Sequence, residues 1–427
     1  MTPKSLSRQL LVRSPRARNK VTALAHDTSL LEVRAPLPSK GQEVTVDGLR
    51  LFSLPAALVA AGPGLFTRNV TEARTALAMV RDASDVLTIL LSGGHSVVAG
   101  RLAGAFRNIG RNKIADEIIE AMRAAGYDVR ENDPFDSPAP FAHPPRALSP
   151  YVIRMRLSWQ QMRQIVLETF PKAPGIPKDT EAYLKTVDEI YVEDAYHSLS
   201  IEGYRVSREL IERIRSGAWH PDGDSADRQQ KDAMAAKGYY EAFQVVRGSV
   251  RQVLNGPNAG HVFEREHGAW YRALFAPSVS AGILSVADLA GYRSGQVYIR
   301  RSKHVPPNPE AVRDTMPELV ELLRAEPDAG VRAVLGHFMF VYIHPYVDGN
   351  GRMGRFLMNL MLASGGYLWT VVPVERRDDY LKALEAASVG QNVRPFGEFL
   401  AGLVKDRQKA AGRKAKTIPK HPAKGTA

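Results

Sequence analysis

Ile343-His344-Pro345-Tyr346-Val347-Asp348-Gly349-Asn350-Gly351-Arg352-Met353-Gly354-Arg355-Phe356 is a polar, glycine-rich interruption between two apolar runs. Upstream, Val331 to Ile343 carries Val334, Leu335, Phe338, Met339 and Val341 with almost no polar face, which predicts a buried helix. Pro345 ends that helix. A residue before proline is biased out of the α region, so His344 is expected to place its imidazole at the mouth of the loop. Downstream, Phe356, Leu357, Leu360 and Met361 recur at helical spacing, so a second apolar helix is expected to start near Gly351. Helix, tight loop, helix is the frame of a mostly α fold.

The loop residues suit phosphate chemistry. Gly349-Asn350-Gly351 lets successive backbone N–H groups converge on one anion at the positive end of the following helix. Arg352 and Arg355 add guanidinium groups in that helix's first turn. Asp348 offers a hard oxygen where magnesium commonly bridges a carboxylate and a nucleotide. His344 is the natural proton acceptor.

With 427 residues and 47.0 kDa, two domains are expected. Hydrophobic content of 44% and charged content of 24% are those of an ordinary globular chain. Cysteine is absent, which excludes thiol nucleophiles, disulfides and cysteinyl metal sites and fits a reducing compartment. No run reaches the apolar length that spans a bilayer, and no apolar signal core follows the basic N-terminus, so a cytoplasmic location is expected. Residues 1–20, rich in Arg, Lys and Ser and free of acid, also have the composition of an organelle transit peptide. The net charge of +12 gathers at Lys4–Lys20 and Lys405–Lys424. Such ends can meet nucleic acid, but they also read as solvated tails.

In chain order, 43–52 alternates around Asp47-Gly48 and predicts a hairpin. A short helix over 56–61, a long one over 71–91, one over 111–125 and a last strand over 127–130 complete a small α+β domain at 1–132. Gly93-Gly94-His95 reads as a helix cap and turn. Six prolines between 134 and 150 predict a stiff linker over 133–150. Helices follow over 150–170, 179–197, 207–216, 227–255 and 261–275, the last with His261 and His267 on an ordinary solvated face. Ser285 is expected to cap a short helix ending near Gly291. Val297-Tyr298-Ile299-Arg300 and His304-Val305 predict a short hairpin. Helices over 377–387 and 396–405 precede a basic mobile tail at 406–427.

Residues 151–405 resemble a Fic domain. His344-Pro345-Tyr346-Val347-Asp348-Gly349-Asn350-Gly351-Arg352-Met353-Gly354-Arg355 is similar to that family's HPFx(D/E)GNGRxxR signature, with Tyr346 in place of the usual Phe. The resemblance implies a helical Fic domain with a short β-hairpin flap. It implies that His344 deprotonates a target hydroxyl, that Asp348 holds Mg2+, and that Gly349, Asn350 and Gly351 hold the α- and β-phosphates of ATP. Arg352 and Arg355 would take the distal phosphates. The implied reaction moves AMP from ATP to a Ser, Thr or Tyr of a target protein, self-modification included, and releases pyrophosphate.

Ser198-Leu199-Ser200-Ile201-Glu202-Gly203 is similar to the family's (S/T)xxxE(G/N) inhibitory motif. It implies that Ser198, Glu202 and Gly203 form a lock in which Glu202 pairs with Arg355 and occupies the γ-phosphate room. Val297, Tyr298 and Ile299 fall where the family keeps a flap that clamps a target segment by strand addition. Residues 1–130 lie outside the resemblance, apart from a faint likeness to antitoxin-type regulators. Removal of AMP, transfer from another nucleotide such as UTP, and a nucleotide-sensing nucleic-acid-binding regulator remain alternatives. Oligomeric state is not readable.

Overall fold

The computed structural model describes residues 9–24, 28–39, 41–46, 48–135, 149–219 and 227–417. The chain opens with a three-stranded sheet that its basic composition does not announce. Strand Gln9–Ser14 runs parallel to Ser29–Arg34, and Val21–Ala23 pairs antiparallel with the other edge of Ser29–Arg34. Glu43–Val46 and Leu49–Phe52 form the expected hairpin, with Val46 opposite Leu49 and Gly48 at φ +79° in the turn. Asp47 lies outside the described residues.

Helices follow at Leu54–Ala60, Gly64–Arg68, Val70–Met79, Ser84–Gly93, Ser96–Asn108 and Asn112–Ala124. Where the spacing predicts one helix over 71–91, the chain forms two. Val80 is extended, and Asp82 Oδ1 accepts the amide of Ser84 at 2.9 Å, so a side chain starts a new helix there. Gly94 at φ +61° caps the second of these helices as expected, but helix Ser96–Asn108 was not expected. The strand predicted over 127–130 does not form, because this segment crosses a helix instead of joining a sheet. A Cβ at Gly100 would fall 2.0 Å from Arg130 O, and the Asn132 amide donates to Gly100 O at 3.1 Å. Most of the proline-rich stretch, 136–148, lies outside the described residues.

The remainder is helical: Pro150–Thr169, Thr180–Ile201, Arg208–Arg215, Asp227–Leu254, Ala259–Ser280, Pro309–Ala325, Ala329–Ile343, Asn350–Ala363, Arg377–Ser388 and Arg394–Thr417. The last continues to Thr417, so residues 406–417 are helix where a tail is predicted, and 418–427 lie outside the described residues. Ser285 caps the 3-10 turn Val286–Ala290 with the reciprocal bond from Asp288.

Helices Ala329–Ile343 and Asn350–Ala363 are buried along nearly their whole length and form the centre of this unit. An all-round apolar helix is stable only when covered on every side. Helices Asp227–Leu254, Ala259–Ser280 and Pro309–Ala325 supply that cover, and Val334, Phe338, Phe356, Met358 and Trp270 belong to the shared core. No helix among the described residues is long and apolar enough to cross a membrane.

Candidate active site

The loop between the two central helices is shaped by three backbone decisions. His344 caps its helix at φ 52°, ψ 59°, in the left-handed region. The proline after it does exclude the right-handed α region, but the extended alternative is not taken, because Arg293 Nε holds His344 O at 2.8 Å. Gly349 stands at φ +82°, and a Cβ there would meet the Phe275 ring at 2.9 Å, so glycine is required twice over. Tyr346 is buried and stacks on Tyr271 with centroids 3.9 Å apart.

The His344 ring sets its own tautomer. Nδ1 lies 3.2 Å from Val341 O and donates to it, leaving Nε2 as the acceptor. Burial lowers the imidazole pKa below the usual histidine value, the Val341 carbonyl opposes this, and Arg293 adds to the lowering. A neutral ring with a free acceptor nitrogen is what a general base requires.

The Asn350 side chain is engaged within the loop. Its Oδ1 accepts the Tyr346 amide at 3.0 Å and its Nδ2 donates to Tyr346 O at 2.9 Å. The side chain closes the loop on itself. What the first turn of Asn350–Ala363 offers an anion is backbone, since its N–H groups have no partner within the helix.

Arg352 and Arg355 are both fully buried, with Arg352 Nε and Arg355 Nη1 lacking hydrogen-bond partners among the described residues. Buried donors of this kind are costly unless an acceptor reaches them. Arg352 Nη2 donates to Asp348 Oδ2 at 3.2 Å, and its guanidinium lies over the Tyr204 and Phe275 rings.

Ser198, Glu202 and Gly203 come from helix Thr180–Ile201 and its end. Arg355 Nε donates to Ser198 Oγ at 2.9 Å, and Nη2 donates to Ser198 O at 3.0 Å and Glu202 Oε1 at 2.7 Å. Burial lowers the Arg355 guanidinium pKa, but the Glu202 carboxylate together with Tyr380 and Tyr239 opposes it, and the net direction is upward, so the group stays a cation. A Cβ at Gly351 would lie 2.2 Å from Glu202 Oε1, so the carboxylate rests directly on the first helical turn.

The placement of Glu202 is braced from several sides. Gly203 at φ +91° completes a helix-ending motif in which Tyr204 N donates to Leu199 O and Gly203 N to Ser200 O. Arg377 Nε donates to Ile201 O at 2.8 Å, and His197 Nδ1 accepts from Val374 N at 3.1 Å. A Cβ on Gly203 meets nothing within 4 Å, so Gly203→Ala is expected to act through backbone strain alone. The cost should be about 1–2 kcal/mol in urea denaturation.

The segment expected as a hairpin flap, with Val297, Tyr298 and Ile299 in its first arm, forms no ladder. It does reverse direction, since Ser302 N donates to Ile299 O across a turn with Arg301 at φ 64°. The returning arm spends its donors elsewhere: Lys303 N donates to Glu385 Oε1 at 2.7 Å and His304 N to Ser302 Oγ at 3.0 Å, and Pro306 and Pro307 have none to give. Tyr298 is 76% exposed.

Sequence reasoning missed several residues. His267 is a buried core histidine and not part of a solvated face, with Nε2 2.8 Å from Tyr292 Oη. Asp194, one turn before Ser198, accepts from Tyr239 Oη at 2.6 Å, and burial pushes it up to about 6. Arg293 carries no motif signal at all. Among the described residues no group of three acidic, His or Cys side chains gathers as a metal cage. Asp348, with its side chain 63% exposed beside the first helical turn, would be the motif carboxylate to hold a magnesium ion.

Residues 260–362 match the model of the Fic/DOC family. A protein adenylyltransferase Fic from Nematostella vectensis is 30% identical over 246 residues, which are 57% of this chain and 53% of that protein. One from Drosophila willistoni is 28% identical over 231 residues, 53% of this chain and 43% of that protein. The chain thus spans about half the length of the curated relatives it matches. A solved Fic domain containing signaling protein from Bacteroides thetaiotaomicron is similar at TM-score 0.46 and 19% identity, covering 64% of this chain and 99% of that one.

Proposed function

We propose that this chain, which carries a Fic domain, is a self-inhibited protein adenylyltransferase that moves AMP from ATP to a Ser, Thr or Tyr hydroxyl of a protein. The observation that carries the reading is Glu202. Its carboxylate sits on the first turn of Asn350–Ala363 and holds Arg355, the positions a triphosphate needs. An anion seat filled by the protein's own carboxylate is a site in its off state.

With Glu202 displaced, the backbone turn at 349–352 cradles the α- and β-phosphates, and the buried donors of Arg352 and Arg355 reach the distal ones. His344 Nε2 accepts the proton of the incoming hydroxyl. The hydroxyl oxygen forms a bond to the α-phosphorus, the bond to the bridging oxygen breaks, and pyrophosphate leaves. Charge on the leaving group is dispersed by the two arginines. Asp348 would hold Mg2+, which would neutralise phosphate charge. The arm at Val297, Tyr298 and Ile299, of which Tyr298 is exposed, would meet an extended target segment.

The test is intact mass after incubation with ATP or UTP and magnesium, using the Glu202→Gly chain with and without candidate proteins. Addition of one AMP from ATP is expected. A phosphate increment, a UMP increment from UTP in preference, or no increment at all would overturn the reading.

A further inference from the structure

Two buried arginines outside the signature connect the catalytic loop to the N-terminal helices. Arg293 donates Nε to His344 O at 2.8 Å, Nη1 to Gly295 O at 2.9 Å, and Nη2 to Pro307 O and, at 3.4 Å, to Ile343 O. Its own amide donates to Pro345 O at 2.9 Å. One side chain thus grips the backbone of His344 and both roots of the loop over 296–306.

The carbonyl of Arg293 is gripped in turn. Arg313 Nη1 donates to Arg293 O at 2.8 Å and to Pro309 O at 2.9 Å. The rest of that guanidinium crosses to the N-terminal unit, with Nε donating to Asp85 Oδ1 at 2.6 Å and Nη2 to Ser84 Oγ at 3.0 Å. Asp85 and Ser84 begin helix Ser84–Gly93, which packs on Val286–Ala290 just before Arg293.

This arrangement is costly to maintain. Burial, and then the second cation beside it, lower the Arg293 guanidinium pKa to about 10. Among the described residues, all the hydrogen bonds of its side chain go to backbone carbonyls and none to a carboxylate. A planar fork used this way fixes the directions of several carbonyls at once, which a lysine cannot do. The carbonyl at its centre belongs to His344, whose left-handed backbone is sparsely populated and persists only where the surroundings over-determine it.

We infer that Arg293 is a positioning residue for His344, and that Arg313 makes that position depend on the docking of the N-terminal helices through Asp85 and Ser84. The inference rests on the reading of His344 as the base. It gives residues 84–85, far from the chemistry, control over the catalytic step.

The test uses the full chain carrying Glu202→Gly, with Arg293→Lys and Asp85→Ala made separately and His344→Ala as reference. AMP transfer is resolved into kcat and KM for ATP, and affinity for a non-hydrolysable ATP analogue is measured by calorimetry. Because Arg293 makes no hydrogen bond to residues 349–355, analogue affinity and KM should hold. The kcat should fall about 100-fold for Arg293→Lys and about tenfold for Asp85→Ala, the scale of a base misplaced by about an ångström. Should Arg293→Lys fail to fold, Asp85→Ala, which keeps both arginines, decides alone. Unchanged kcat with an inactive His344→Ala overturns the relay and leaves the base intact. Equal losses of kcat and analogue affinity overturn it as well, since they report general loosening. An active His344→Ala overturns the base reading itself, and the positioning role with it.

Discussion

Replacing His344 by Ala in a chain that also carries Glu202→Gly is expected to lower AMP transfer by about 10²–10⁴-fold, the usual contribution of a general base. The ring is poised for this role by two contacts that do not involve substrate. Val341 O fixes the proton on Nδ1, and Arg293 fixes the backbone that aims Nε2. Binding of an ATP analogue should survive the change, because the cradle and the two arginines of the first helical turn remain. The pH dependence follows from the sign of the shift. Burial lowers the His344 pKa below the ordinary histidine value, so the free base persists as pH falls through that value. The acid limb of kcat/KM is therefore expected below the ordinary histidine range, and a limb at or above it would contradict the assignment. Labelled-AMP transfer measured across pH in the Glu202→Gly chain, with and without His344, reads both effects.

Glu202→Gly alone is expected to raise AMP transfer by about 10–100-fold. The Arg355–Glu202 contact is one charge-assisted hydrogen bond, worth about 1.5–3 kcal/mol, that ATP must otherwise displace, and each factor of ten is worth about 1.4 kcal/mol. The Glu202 side chain is 30% exposed while that of Arg355 is 3% exposed, so Glu202 is the partner that solvent reaches. After the change Arg355 keeps both bonds to Ser198 and remains placed for a phosphate. Glu202→Gln should activate less, since the amide still fills the space but no longer pairs as an anion. If wild-type and Glu202→Gly chains transfer AMP at the same rate and with the same KM for ATP, the self-inhibited reading is wrong.

Parts of this were legible in the residues. The two central helices follow from unbroken apolar periodicity, and their boundaries from proline and glycine, which act over a few positions. The hairpin at 43–52 and the cap at Ser285 were legible for the same reason. Where a polar side chain competed locally, the pattern misled, as at Asp82, whose carboxylate starts a helix that spacing alone runs straight through.

The 343–356 stretch made the proposed chemistry legible, because glycines and arginines suited to a phosphate and a histidine suited to a base stand there at fixed short spacing. What each group is bonded to was a matter of folding. Asn350 turns inward to Tyr346, the 296–306 loop gives its donors to Glu385 in place of a strand partner, and His344 is held left-handed by Arg293. Arg293 and His344 stand 51 positions apart, and Arg313 and Ser84 stand 229 apart. No local propensity acts over such distances. A buried guanidinium has no periodicity or motif of its own, and its meaning comes from which carbonyls the fold brings within about 3 Å of it.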